Sequence, residues 1–234
     1  MEFRAPKGAS KINVLLVGGV GAGKSSIVST LDSLFRGRLS RKAAHGQALT
    51  GSFTRSLTKY SFRHERAADY GIEEAQEAPF VLWDSPGWSD TLYQNGELGY
   101  ILDGNLPNRF DLTQAISPQS HNFVVAPDLA DRVHCVCFVV PCQAGSNADY
   151  MRRLKELKKD AMDRGIPTLV FLTKVDQYDA EADISRLENS QRIKTIVQDS
   201  DQESADWEAV PLKQANPYCV DEKVDDRSTD ATTK

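Results

Sequence analysis

Gly18-Gly19-Val20-Gly21-Ala22-Gly23-Lys24-Ser25 fits the spacing G-x-x-x-x-G-K-[ST], a loop that wraps a phosphate chain in main-chain N–H groups. Its flanks are the ones such a loop requires. Ile12-Asn13-Val14-Leu15-Leu16-Val17 is a short apolar run ending at a glycine cluster, the pattern of a buried strand. Beyond the loop, Ile27, Leu31, Leu34 and Phe35 recur at helical spacing, and Gly37 is placed to stop the helix. The expected unit is a strand over 11–17, a loop over 18–24 and a helix over 24–36. A ligand-free glycine turn between a strand and a helix is the plainer alternative. In the phosphate-binding arrangement, Gly18, Gly21, Ala22, Gly23, Lys24, Ser25 and Ser26 form the nucleotide cradle, with the positive end of the helix behind them. Lys24 reaches the β- and γ-phosphates, and Ser25 places its hydroxyl on Mg2+.

Further apolar runs recur along the chain. Ser56–Arg63 has the alternation of an edge strand. Pro79-Phe80-Val81-Leu82-Trp83, Val133-His134-Cys135-Val136-Cys137-Phe138-Val139-Val140 and Thr168-Leu169-Val170-Phe171-Leu172 read as buried strands. Tyr150–Arg164 is amphipathic, with Met151, Leu154, Leu157, Ala161 and Met162 on one face and Lys and Arg on the other. Leu98–Leu102 reads as a short helix before the turn Asp103-Gly104-Asn105. Ile184–Val197 reads as a weaker helix, and Ala209–Lys213 as a last strand that Pro211 pushes to an edge. Buried strands alternating with amphipathic helices predict an α/β fold of the P-loop NTPase kind, a mostly parallel sheet with helices on both faces as in Ras-like GTPases. The expected domain runs over 11–218, with a flexible arm over 1–10 and a polar, disordered tail over 219–234.

The 234 residues suit one medium domain, and 40% are apolar, enough for a real core. A net charge of −5 gives no basis for broad nucleic-acid binding. The four cysteines, Cys135, Cys137, Cys142 and Cys219, lack the second Cys/His pair of a zinc site and read as buried thiols in a reducing compartment. No apolar run reaches membrane-spanning length, and the expected location is the cytoplasm.

Two more motifs fall at expected strand ends, where ligands of open α/β sheets bind. Asp84 closes an apolar strand, the place of an acid that holds Mg2+, and Asp84-x-x-Gly87 has the spacing of a γ-phosphate sensor. Thr173-Lys174-Val175-Asp176 fits the [NT]-K-x-D base-reading motif of GTPases. The Asp176 carboxylate accepts from both N1–H and the exocyclic amine of guanine, a pair adenine does not offer. The polar stretch 37–55 should bring a threonine to Mg2+ and the γ-phosphate. Thr54 is the first candidate, with Thr50 and Thr58 behind it, and a solvated loop threonine is the alternative. A backbone contact to guanine should follow the last strand, and Ala215-Asn216-Pro217 lies in about that place. The expected catalytic set is Lys24, Thr54 and Gly87, and the expected metal set is Ser25, Thr54 and Asp84.

Val20–Ser26, Asp84-Ser85 with Gly87, Tyr100-Ile101-Leu102-Asp103-Gly104-Asn105, Asp131-Arg132-Val133-His134-Cys135-Val136 and Leu172–Asp176 together resemble the GTPase-like domain of the interferon-induced protein 44 family, over about 11–218. The resemblance implies a cytoplasmic guanine-nucleotide-binding protein connected with immune or antiviral responses, binding GTP or GDP with Mg2+. Members often carry a further domain ahead of this one. The chain starts almost at the first strand, so the expectation is that this domain is absent or removed. The family's closing helix has no apolar counterpart after Tyr218.

Trp88 follows Gly87, where Ras-like enzymes carry a water-orienting glutamine. An indole cannot orient water in that way, so the expectation is GTP binding with slow hydrolysis. His45, His64 and His121 are unplaced substitutes. The expected protein is a slow GTPase or GTP-gated switch, with a protein partner or self-association. The alternatives are a nucleotide-binding scaffold without turnover and an ATP-using P-loop kinase, which leaves Thr173–Asp176 unexplained.

Overall fold

The computed structural model describes residues 9–40, 54–65, 77–88, 93 and 96–175. Asp176, Asn216, Thr50, His45, the stretch 184–197, the strand expected at 209–213 and the tail expected at 219–234 lie outside the described residues.

In chain order the elements are β1 (Ile12–Val17), α1 (Lys24–Arg36), β2 (Ser56–Arg63), β3 (Glu77–Asp84), α2 (Glu97–Leu102), β4 (Phe110–Asp111), β5 (Cys135–Pro141), α3 (Ala148–Asp163) and β6 (Thr168–Thr173), with a short 3-10 turn, Cys142–Ser146, ahead of α3. The six strands found among the described residues form one sheet in the order β4-β2-β3-β1-β5-β6. β1 runs parallel to β3 and β5, and β6 runs parallel to β5. β2 is antiparallel to both β3 and β4. The chain leaves β1 towards β3 on one side and later crosses to β5 on the other. That reversal puts a topological switch point, where ligands of open α/β sheets bind, at the carboxyl end of β1. The mostly parallel sheet expected from the apolar runs is present, and β2 is an edge strand except where β4 covers its first two residues.

Period-two alternation sends successive β1 side chains to opposite faces. Leu15 and Val17 join a core with Met151, Leu154, Leu157 and Ala161 of α3, and with Leu98, Ile101 and Leu102 of α2. Leu16 joins Val28, Leu82, Cys137 and Val139 on the other face, where Ile27, Leu31 and Phe35 of α1 cover it. Helices therefore lie on both faces. Phe35, Phe62 and Phe80 close that second core, with ring centroids 5.6–6.1 Å apart. α1 ends at Gly37 in the left-handed region, φ 63°, as the sequence predicts. On α3 the buried stripe differs from expectation: Lys158 is buried, and Met162 is 40% exposed. Met162 stands at the stripe's margin, while Lys158 continues the i, i+4 row from Leu154.

The segments Tyr100–Asn105 and Asp131–Val136 support the sheet. Asn13, a polar residue within a buried strand, donates through Nδ2 to the carbonyls of Ala130 and Arg132, both at 2.7 Å. Its Oδ1 accepts from the indole N–H of Trp83 at 3.1 Å, and its main-chain N–H donates to Nδ1 of His134 at 2.9 Å. Asn105 donates to the carbonyl of Val124 at 2.7 Å, and the Val133 N–H donates to Leu102 O at 3.0 Å. Both segments therefore tie the stretch 103–134, irregular apart from β4, to β1 and α2.

Candidate nucleotide site

The loop after β1 opens directly into α1. Gly23 occupies the N-cap position at φ 104°, supplies no side-chain cap, and is followed by no acidic residue in the first turn. The first N–H groups of a helix have no intrahelical partner, so this uncapped end suits an anion. α3 is the contrast: the side-chain oxygen of Asn147 accepts from the Tyr150 N–H at 3.0 Å, and Asp149 lies in the first turn. One helix start is capped by a side chain, and the start at the sheet's switch point carries no side-chain cap.

Lys24 is buried, and its ammonium donates to the carbonyls of Gly18 at 2.8 Å and Gly19 at 3.1 Å. An ammonium has three donors, so one remains for a phosphate oxygen. Burial lowers its pKa from 10.5 to about 8, against the opposing pull of the Asp84 carboxylate. Thr173 donates its hydroxyl to Ala22 O at 2.7 Å and so braces the loop from the end of β6. Lys174, next in the chain, is exposed and sits in the left-handed region at φ 55°, uncommon for a residue with a Cβ.

Ser25, Thr54 and Asp84 come together. Ser25 Oγ donates to Asp84 Oδ2 at 2.7 Å, and it lies 3.4 Å from Thr54 Oγ1. These oxygens come from α1, the entry to β2 and the end of β3. Asp84 is 1% exposed, and its Oδ1 has no hydrogen-bond partner among the described residues. Burial raises its pKa, opposed by the Ser25 hydrogen bond and by Lys24. An orphaned buried carboxylate oxygen beside two hydroxyls is the hard-oxygen donor set that Mg2+ takes, so these residues fit that ion. Thr58 is set differently: it pairs in register with Asp84 on β2, but its hydroxyl donates to Ser56 O at 3.3 Å.

The stretch after Asp84 lies against the phosphate loop. Ser85 is fully buried and donates to Leu16 O at 2.7 Å. The Trp88 N–H donates to Gly18 O at 3.2 Å. Gly87 packs so closely that a Cβ there would stand 2.6 Å from both N and Cα of Val20. Glycine is required at this position by close approach of two backbones. Neither His64 nor His121 is found in this contact. His64 packs against Phe35, which belongs to the last turn of α1, and His121 is exposed in an irregular segment. A groove of about 670 Å3 along α3, lined by Gly145, Ser146, Arg152 and Lys155 among others, includes no residue of the loop.

No protein-family model matches the chain. It is 27% identical over 227 residues to human interferon-induced protein 44, covering 87% of this chain and 49% of that protein. It is 32% identical over 177 residues to human interferon-induced protein 44-like, covering 71% of this chain and 37% of that protein. The chain thus spans about half the length, or less, of the curated relatives it matches. Among solved structures, the signal recognition particle receptor SRb-GTP/SRX complex from Chaetomium thermophilum overlaps 70% of this chain and 69% of that chain at 15% identity, with a TM-score of 0.39. That overlap is too loose to add to the fold seen directly. Over the part of its length that these sequence alignments cover, the chain is a homologue of the interferon-induced protein 44 family.

Proposed function

We propose that the chain binds guanine nucleotide with Mg2+ at the Gly18–Ser25 loop and acts as a slow GTPase or GTP-gated switch. The observation that carries this reading is the meeting of Ser25, Thr54 and Asp84 in front of an uncapped helix start, beside a buried lysine with a donor to spare. The helix N–H groups and Lys24 bind phosphate oxygens. Ser25, Thr54 and the free oxygen of Asp84 would hold the cation, which when bound neutralises charge on the β- and γ-phosphates. The guanine preference rests on Thr173–Asp176, with Asp176 reading the base, Lys174 lying along it and Asn216 beside it. Gly87 is the γ-phosphate sensor in this reading, supported by its close approach to the main chain of Val20 in the loop.

Hydrolysis is slow in this reading because Trp88 offers no group that orients water. Its ring is packed 4.8 Å from that of Tyr150. Single-turnover hydrolysis of bound GTP should run measurably faster than with Lys24→Ala at saturating nucleotide. Equal rates would leave a nucleotide-binding scaffold. Two relatives are named as interferon-induced proteins, which supports a role in an immune response; in this reading the chain acts in the cytoplasm, through a protein partner or self-association.

The lowered pKa of Lys24 gives this site a pH signature. Phosphate favours the charged ammonium, so the bound pKa lies above the free value of about 8. Deprotonation above that value lies on the unbound side. Affinity should therefore be flat below about pH 8 and weaken above it by up to about tenfold per unit. Titrations across this range, with the Lys24→Ala variant as reference, check it: a profile no steeper than the variant's would contradict the charged-lysine contact.

A further inference from the structure

Tyr150, in the first turn of α3, carries the one side-chain hydroxyl that bridges the phosphate loop and β5 among the described hydrogen bonds. It accepts from the Gly19 N–H at 3.3 Å and lies 3.4 Å from Val139 O, to which it donates. Its ring stacks on Trp88 with centroids 4.8 Å apart. A Cβ on Gly19 would stand 2.9 Å from that ring and 3.6 Å from the Trp88 indole nitrogen. Gly19 is thus held between the two aromatics.

One turn further along α3, Arg153 donates to the carbonyl of Tyr93 at 2.6 Å. Tyr93 is buried and sits in the left-handed region, φ 67°. α3 therefore touches the loop itself, the residue after the candidate γ-phosphate sensor, and a residue further along the same stretch. Packing alone asks only for the Tyr150 ring. The hydroxyl is needed only for its two main-chain contacts.

We propose that Tyr150 is a positioning residue, whose hydroxyl holds the second residue of the phosphate loop in the shape that receives nucleotide phosphate. The inference rests on the nucleotide-binding reading above. It adds a contact from α3 that the loop motif does not contain. Burial pushes the Tyr150 phenol up to about 12, so it remains protonated and able to donate to Val139 O while accepting from Gly19.

The test is Tyr150→Phe in the full chain, which keeps the ring and its stack on Trp88. Hydrogen exchange at the Gly19 amide, followed by NMR, reads the tie directly. Titration with GDP and GTP in Mg2+ reads its consequence. The expected result is faster Gly19 exchange together with Kd values raised about three- to tenfold for both nucleotides, the scale of one neutral hydrogen bond. A melting temperature lowered by no more than a few degrees should accompany it. Gly19 exchange equal to wild type, or faster exchange with unchanged Kd values, would overturn the positioning role. Failure of the wild-type chain to bind either nucleotide would instead sink the functional reading, and Gly19 exchange would still report whether the tie exists.

Discussion

Replacing Lys24 with alanine is expected to weaken GTP and GDP binding by roughly 10- to 150-fold, one charge-assisted contact at about 1.5–3 kcal/mol. The side chain is buried and fixed by the carbonyls of Gly18 and Gly19, so its remaining donor is aimed before any ligand arrives. Alanine removes that donor and leaves both carbonyls without the ammonium. Calorimetric titration of the purified variant checks this, with circular dichroism to establish that α1 and the sheet are retained. Affinity within a few-fold of wild type would show that the phosphates bind elsewhere.

The second large effect concerns the base. Asp176→Asn should lower GTP affinity on the order of 100-fold and admit xanthine nucleotides, because an amide offers a donor where guanine presents one of its own. Competition between GTP and XTP measures the exchange of preference directly. Asp176 lies outside the described residues, so the expectation stands on its spacing from Thr173. That threonine is braced against Ala22 O at 2.7 Å. An unchanged preference for GTP would refute the role given to Asp176.

The fold was largely legible because its signals are local. The apolar run Ile12–Val17, the stripe Ile27, Leu31 and Phe35 and the stop at Gly37 are each readable within a turn or two of chain. Their elements stand at Ile12–Val17 and Lys24–Arg36. β3 begins at Glu77, before the expected Pro79, because pairing at an edge with β2 can extend a strand past its apolar run. Of the trio proposed to hold the cation, Ser25 and Asp84 are legible from motifs. Thr54 was a guess from position, and its nearness to Ser25 comes from β2 lying antiparallel to β3, a tertiary fact that no local pattern carries.

In the sequence, Tyr150 marks only the start of an amphipathic helix. Its place against Gly19 depends on α3 crossing the end of β5, which periodicity does not encode. Asn13 did leave a signal, since a polar side chain inside a buried strand needs partners. Those partners are the carbonyls of Ala130 and Arg132, far along the chain, and only the fold names them. The segments around Asn105 and His134 proved similar in kind, holding the scaffold rather than the ligand.

Titration of the purified chain with GTP, GDP and ATP, each with and without Mg2+, tests the account most directly. It predicts saturable binding of GTP and GDP that tightens with Mg2+, and much weaker binding of ATP. ATP binding as tightly as GTP, or no saturable binding of any of the three, would contradict it.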